Sequence, residues 1–168
     1  MKRNAIVFLC MFVIGAGIAF AADPAEGFWL SVDDKTGKVT AGWEIYQQGG
    51  KLFGKVLSTA DHQPGVKATA CKESYKGFPL TGKVNQMNVA GTPWIFGLSM
   101  DKVGQWKDGN VIDPSDGKMY KCKIIFHPRD GSRYKTDTLE MRGEIGLGIG
   151  RSQYWQKTTQ EEAANLRP

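Results

Sequence analysis

The stretch Gly27-Phe28-Trp29-Leu30-Ser31-Val32-Asp33-Asp34-Lys35-Thr36-Gly37-Lys38-Val39-Thr40-Ala41-Gly42-Trp43-Glu44-Ile45-Tyr46-Gln47-Gln48-Gly49-Gly50-Lys51-Leu52-Phe53-Gly54-Lys55-Val56-Leu57-Ser58 decides the architecture. From Gly27 to Asp33, Phe28, Leu30 and Val32 fall on one face and Trp29 and Ser31 on the other, the two-residue period of a strand. Asp34-Lys35-Thr36-Gly37 is a turn, because Asp initiates it and Gly accepts a positive φ. Lys38 to Gln47, with Trp43, Ile45 and Tyr46, reads as a second strand, and Gln48-Gly49-Gly50 turns into a third, Lys51 to Ser58. Three strands with tight connections form an antiparallel meander.

Toward the C-terminus the pattern lapses into a polar loop from Thr59 to Phe78 that carries His62, Pro64 and Cys71. Leu80 to Val89 fits either a strand or a short helix. Pro93 to Met100 returns to strand character, and Trp106 to Ile112 with Lys118 to His127 reads as a hairpin around Asp113-Pro114-Ser115-Asp116-Gly117. Thr138 to Gly143 and Glu144 to Lys157 complete the set, and residues 159–168 form a polar tail expected to fray, with at most a last helical turn. No long segment has a 3.6-residue period. About eight short strands and 21 glycines therefore predict an all-β chain folded as one antiparallel up-and-down barrel. In Glu144-Ile145-Gly146-Leu147-Gly148-Ile149-Gly150 the apolar residues fall on one face and the glycines on the other. Bare glycines let a sheet bend or a large ring lie on the backbone. A phosphate-cradling loop is the poorer reading, since neither a helix start nor a P-loop lysine follows.

Toward the N-terminus, Lys2 and Arg3 precede an apolar run from Ala5 to Phe20, and Ala19-x-Ala21 carries the small residues a signal peptidase accepts. The run approaches spanning length, so an uncleaved anchor is the rival reading; Asp23-Pro24 directly afterwards favours cleavage. Cys10 lies inside the apolar run and lacks the small residues of a lipoprotein site before it. The expectation is a Sec signal at 1–21, a barrel domain at 22–158, and a periplasmic or secreted bacterial product without stable membrane insertion after cleavage. Removal of the first 21 of 168 residues leaves 147, enough for one core, and takes the net charge from +5 to +3. That charge is too small and too evenly spread to argue for nucleic acid.

Cleavage also leaves two cysteines, Cys71 and Cys122, which in an exported domain are expected to form a disulfide; two unrelated thiols are the alternative. Two separated cysteines and two isolated histidines make no metal-ligand set, and no cofactor is expected. Gly-x-Ser-x-Gly, His-Glu-x-x-His and Cys-x-x-Cys are all missing from the sequence, so no enzyme class is indicated. His62 and His127 are expected to face solvent. Asp113 and Asp116 suit a turn better than a calcium loop, because the further oxygen ligands are lacking.

Several patterns together resemble the bacterial DUF2147 family. They are Gly27-Phe28-Trp29 with Asp33-Asp34-x-Thr36-Gly37, Gly50-Lys51-Leu52-Phe53-Gly54-Lys55-Val56, Pro79-Leu80-x-Gly82, Trp106-x-x-Gly109 leading to Asp113-Pro114-x-x-Gly117-Lys118-x-Tyr120-Lys121-Cys122, and Arg142-Gly143 with Gly150-Arg151-x-Gln153-x-Trp155. The resemblance implies an exported lipocalin- or calycin-like barrel and no particular activity. By lipocalin analogy Trp29 would close one end of the barrel with the Arg151 guanidinium stacked over it. Aromatic side chains remain to be explained. Either the barrel fills its own interior with them, or a partly open barrel admits a small hydrophobic or amphipathic molecule. In the second case Trp43, Trp94 and Trp106 would supply area, and Tyr120 and Arg142 would fix orientation. The competing expectation is a cell-envelope module that binds protein or cell wall and has no ligand cavity.

Overall fold

In the computed structural model, described for residues 22–146 and 148–168, eight antiparallel strands close into one barrel in sequence order. They are β1 (Gly27–Val32), β2 (Val39–Gln48), β3 (Lys51–Thr59), β4 (Pro93–Lys102), β5 (Gln105–Ile112), β6 (Met119–His127), β7 (Thr138–Gly146) and β8 (Ile149–Lys157). The expected signal segment lies outside the described residues, as does Leu147. The predicted meander and the hairpin around Asp113–Gly117 form as expected. The ring closes narrowly: β8 pairs with β1 at Trp29 opposite Lys157 and Leu30 opposite Gln156, and Thr158 N–H just past β8 donates to the Phe28 carbonyl at 3.0 Å.

Two turns of the same kind stand at one end. Asp33 N–H donates to the Lys38 carbonyl at 2.9 Å and Gly37 N–H to the Asp33 carbonyl at 2.8 Å; Asp113, Lys118 and Gly117 repeat both bonds at the same lengths. Gly37 and Gly117 take φ of +69° and +70°, which the turn demands and glycine supplies at least cost. The connection from β3 to β4 also lies at this end. It is irregular apart from a 3-10 turn at Val84–Gln86, so Leu80 to Val89 is neither strand nor α-helix.

The opposite end is plugged by the chain just before β1. The Asp23 carboxylate accepts N–H bonds from Ala25 (2.9 Å), Gly104 (2.9 Å) and the Trp106 indole (3.1 Å), while the Trp29 indole donates to the Ala25 carbonyl at 3.0 Å. Both rings are fully buried, and Phe126 packs edge-on against Trp29.

Two local expectations change. Glu144 to Gly150 is not one strand but a hairpin, with Gly146 and Ile149 paired across a two-residue connection; Gly146 at φ +120° and Gly148 at +76° are the bend. In the C-terminal tail the last helical turn that the sequence allowed is formed and packed. Helix α1 (Gln160–Ala164), capped by Thr159 accepting the Glu162 N–H, docks on the outside of β2 and β3. Ser58 Oγ donates to the Ala163 carbonyl at 2.7 Å, and a Cβ on Gly42 would sit 1.9 Å from that oxygen.

Cys71 and Cys122 are free thiols, both buried. Cys71 Cα lies against the Gly117 turn, 2.9 Å from where a Cβ would stand on that glycine. Cys122 is further along β6, beyond Met119 at the strand's start. Three strand residues span about 10 Å, past the reach of a disulfide of about 7 Å between Cα atoms. Burial pushes both thiols above their ordinary pKa.

Candidate functional site

Between the plug and the end bearing the paired turns, the barrel encloses a cavity of about 920 Å³ that opens at the turn end. Strand alternation decides what lines it. On β2, Ala41, Trp43 and Ile45 face inward, and on β8 Gln153 and Trp155 do so. Trp43 and Trp155 meet as a stacked pair, with ring centroids 4.8 Å apart and planes at 27°. Their indole N–H groups are satisfied within the wall: Trp43 donates to Ser31 Oγ at 3.1 Å and Trp155 to Gln153 Oε1 at 3.1 Å. Ser31 is itself fixed by Thr40 Oγ1 (2.8 Å) and the Ala41 carbonyl (3.1 Å). Val56, Val111 and Met141 complete an apolar wall, and Tyr120 packs beside Gly143, its Cβ 3.6 Å from where a Cβ on that glycine would stand.

Two polar groups on this wall, the Tyr120 hydroxyl and the Gln153 side-chain NH₂, make no hydrogen bond with other protein groups among the described residues. They can donate to something placed in the cavity. The rim is different in character. Asp33 and Asp113 each commit Oδ1 to their own turn, to Thr36 and Ser115 respectively. The Thr36 backbone N–H, then its hydroxyl, hold the Asp33 carboxyl below its ordinary pKa. Lys67 and His62 stand on the long connection, and Ile145 and Ile149 on the β7–β8 hairpin.

Of the residues expected to bind a ligand, Trp43 and Tyr120 line the cavity and three do not. Trp94 points outward from β4, opposite in sense to Ile95, and lies under the 60–92 connection, where its indole donates to the Val89 carbonyl at 2.8 Å and its ring packs on Phe78. Trp106 belongs to the plugged end through its bond to Asp23. Arg142 faces outward from β7, donating to Glu144 Oε1 at 2.9 Å and to the Gly148 carbonyl at 2.8 Å. The stacking of Arg151 on Trp29 is also corrected: those residues stand toward opposite ends of β8 and its neighbour. Arg151 Nε donates to Asp34 Oδ2 at 2.8 Å, and the cation over the Trp29 ring is Lys157, 4.3 Å from the centroid. Burial lowers the Lys157 pKa.

Trp155, Gln153 and Ser31 are the site residues that sequence reasoning missed. Parity would have found them, since Gln153 and Trp155 share one face of β8 and Ser31 shares the face of Trp29. His127 is only partly exposed: it lies 2.9 Å from Glu140 Oε2 on the outer wall and stacks on Tyr134 with centroids 4.4 Å apart. His62 is half-exposed at the rim. Among the described residues, no three His, Cys, Asp or Glu side chains group as a metal site would require.

An eight-stranded antiparallel barrel, plugged at one end and hollow toward the other, defines a lipocalin-like protein. More narrowly, residues 27–157 match the family described as "Uncharacterized protein conserved in bacteria (DUF2147)", and the chain belongs to that family. Among solved structures it is similar to protein HP1028 of Helicobacter pylori, which is described as belonging to the lipocalin family. The TM-score is 0.63 at 18% identity, covering 84% of this chain and 88% of that one, a likeness of fold. No curated protein matches the chain.

Proposed function

We propose that this protein is an exported, non-enzymatic carrier that takes a small hydrophobic or amphipathic molecule into the cavity above Trp43 and Trp155. The observation that carries the reading is the cavity of about 920 Å³ itself, apolar in its walls and equipped with two unpartnered donors, Tyr120 and Gln153. A flat or chain-like apolar body would cover the indole pair, and one polar group on it would meet the hydroxyl and the amide. Export is supported by Lys2-Arg3, the apolar run and Ala19-x-Ala21. Absence of catalysis is supported by the separation of the candidate groups. His127 and Arg142 stand on the outer wall, and the rim carboxylates of Asp33 and Asp113 are engaged in their turns.

Titration of the purified protein with a fatty acid or a hydrophobic dye tests the reading. Saturable quenching of tryptophan emission is expected, together with a ligand adduct in native mass spectrometry. No quenching and no adduct across fatty acids, isoprenoids and dyes would reject it. The intact mass of the protein from its own host tests export, which requires loss of residues 1–21.

A further inference from the structure

We infer that the β7–β8 hairpin is a membrane-contact element, seating the mouth of the barrel on a zwitterionic lipid surface from which the cavity is filled. The inference rests on the carrier reading for its purpose, but its geometry stands by itself. Ile145 and Ile149 are 72% and 62% exposed, a conspicuous placement for two isoleucines in a chain that fully buries Ile45, Ile95, Ile112 and Ile124. They flank the tip of one hairpin, and both also line the cavity mouth. The apolar surface is therefore continuous from the indole pair, over the rim, to the outside of the molecule. A bilayer would continue it, whereas water interrupts it.

Charge selects the kind of surface. The two turns beside the hairpin, 33–38 and 113–118, together with Arg151 carry four carboxylates and four cations. A balanced set neither repels nor strongly attracts, and it matches headgroups that carry both signs better than an anionic layer, which polybasic faces select. No helix among the described residues is long and apolar enough to cross a membrane; the contact assigned here is made by Ile145 and Ile149. Two side chains give weak, reversible binding, which suits a protein that loads and leaves.

The test is flotation of the purified protein with phosphatidylcholine–phosphatidylethanolamine vesicles, with and without added phosphatidylglycerol. Wild type should float in both, little affected by salt, and Ile145→Ser/Ile149→Ser should lower the bound fraction by on the order of tenfold. A cavity-filling variant, Val56→Trp or Val111→Trp, should lose dye uptake and still float, which separates a failed carrier reading from a failed membrane reading. Wild type that does not float would overturn the inference. So would flotation that needs phosphatidylglycerol and vanishes in salt, flotation unchanged in the double variant, or a dimer that dissociates in that variant and leaves no lipid binding.

Discussion

The Tyr120 hydroxyl and the Gln153 side-chain NH₂ line the cavity without a protein partner among the described residues, while Gln153 Oε1 is held by the Trp155 indole. Tyr120→Phe should therefore leave the urea midpoint almost unchanged while weakening a polar-headed ligand by roughly 5- to 30-fold, the value of one hydrogen bond in a dry site. Fluorescence titration of the two proteins measures it, and a stability loss above about 1 kcal/mol would mean that the hydroxyl has a structural partner after all. Trp155→Ala is different, because the ring supports Trp43. It should cost about 3–5 kcal/mol in denaturant unfolding and abolish the quenching signal. The two thiols should both be countable after unfolding without reductant, and the intact mass should not change on reduction. At this scale the sequence was only partly readable. Parity identifies which residues share a face of a strand, as Ala41, Trp43 and Ile45 share the inner face of β2. It says nothing about which side of the wall a neighbouring loop will cover, and Trp94, expected to supply area to a ligand, is instead buried from outside by the 60–92 connection.

Among the elements, the turn Asp113–Lys118 is fixed from three directions: by its own backbone bonds, by the Tyr75 hydroxyl donating to the Gly117 carbonyl at 2.7 Å, and by the close pass of Ala70 and Cys71. A Cβ at Gly117 would lie 2.2 Å from the Ala70 carbonyl oxygen at a φ of +70°. Gly117→Ala should accordingly cost about 2–4 kcal/mol, read as a lowered thermal midpoint, whereas Gly37→Ala, with nothing nearby, should cost only about 1 kcal/mol for the left-handed backbone. The comparison isolates the loop contact from the turn itself. Strands and tight turns were legible in the sequence because each carries its own signal, alternation or an Asp-to-Gly spacing. Helix α1 and the 3-10 turn were legible only as alternatives, a last helical turn in the tail and a short helix within Leu80 to Val89. Five residues hold too little periodicity to announce a helix, and α1 forms because Thr159 caps it and Gly42 offers a bare strand to rest on.

For the molecule as a whole, Glu140 couples the stability of the outer wall of β6–β8 to acid. Burial pushes the Glu140 carboxyl up, but the Ser152 hydroxyl and the His127 ring bonded to it outweigh this, and its pKa falls below the ordinary 4.5. A carboxylate held lower in the folded state contributes stability that is complete above about pH 4.5 and disappears as pH falls through the folded value. Thermal midpoints followed from pH 6 to pH 3 should therefore decline less steeply for Glu140→Gln than for wild type, with the curves parallel above about pH 5. Barrel closure and strand order were legible from strand count and spacing, while the cavity was not, because hollowness depends on how far each inward side chain reaches. The narrow closure has a further consequence. Since β1 and β8 share only two residue pairs, Ser31 and Val32 continue past their last β8 partners, and Arg151 reaches across to Asp34 where no ladder exists. Beyond those pairs, the Arg151–Asp34 ion pair bridges the seam. Amides along it should exchange with deuterium faster than those of the other seven seams, and Arg151→Ala should speed that exchange locally while leaving Trp29 and its plug undisturbed.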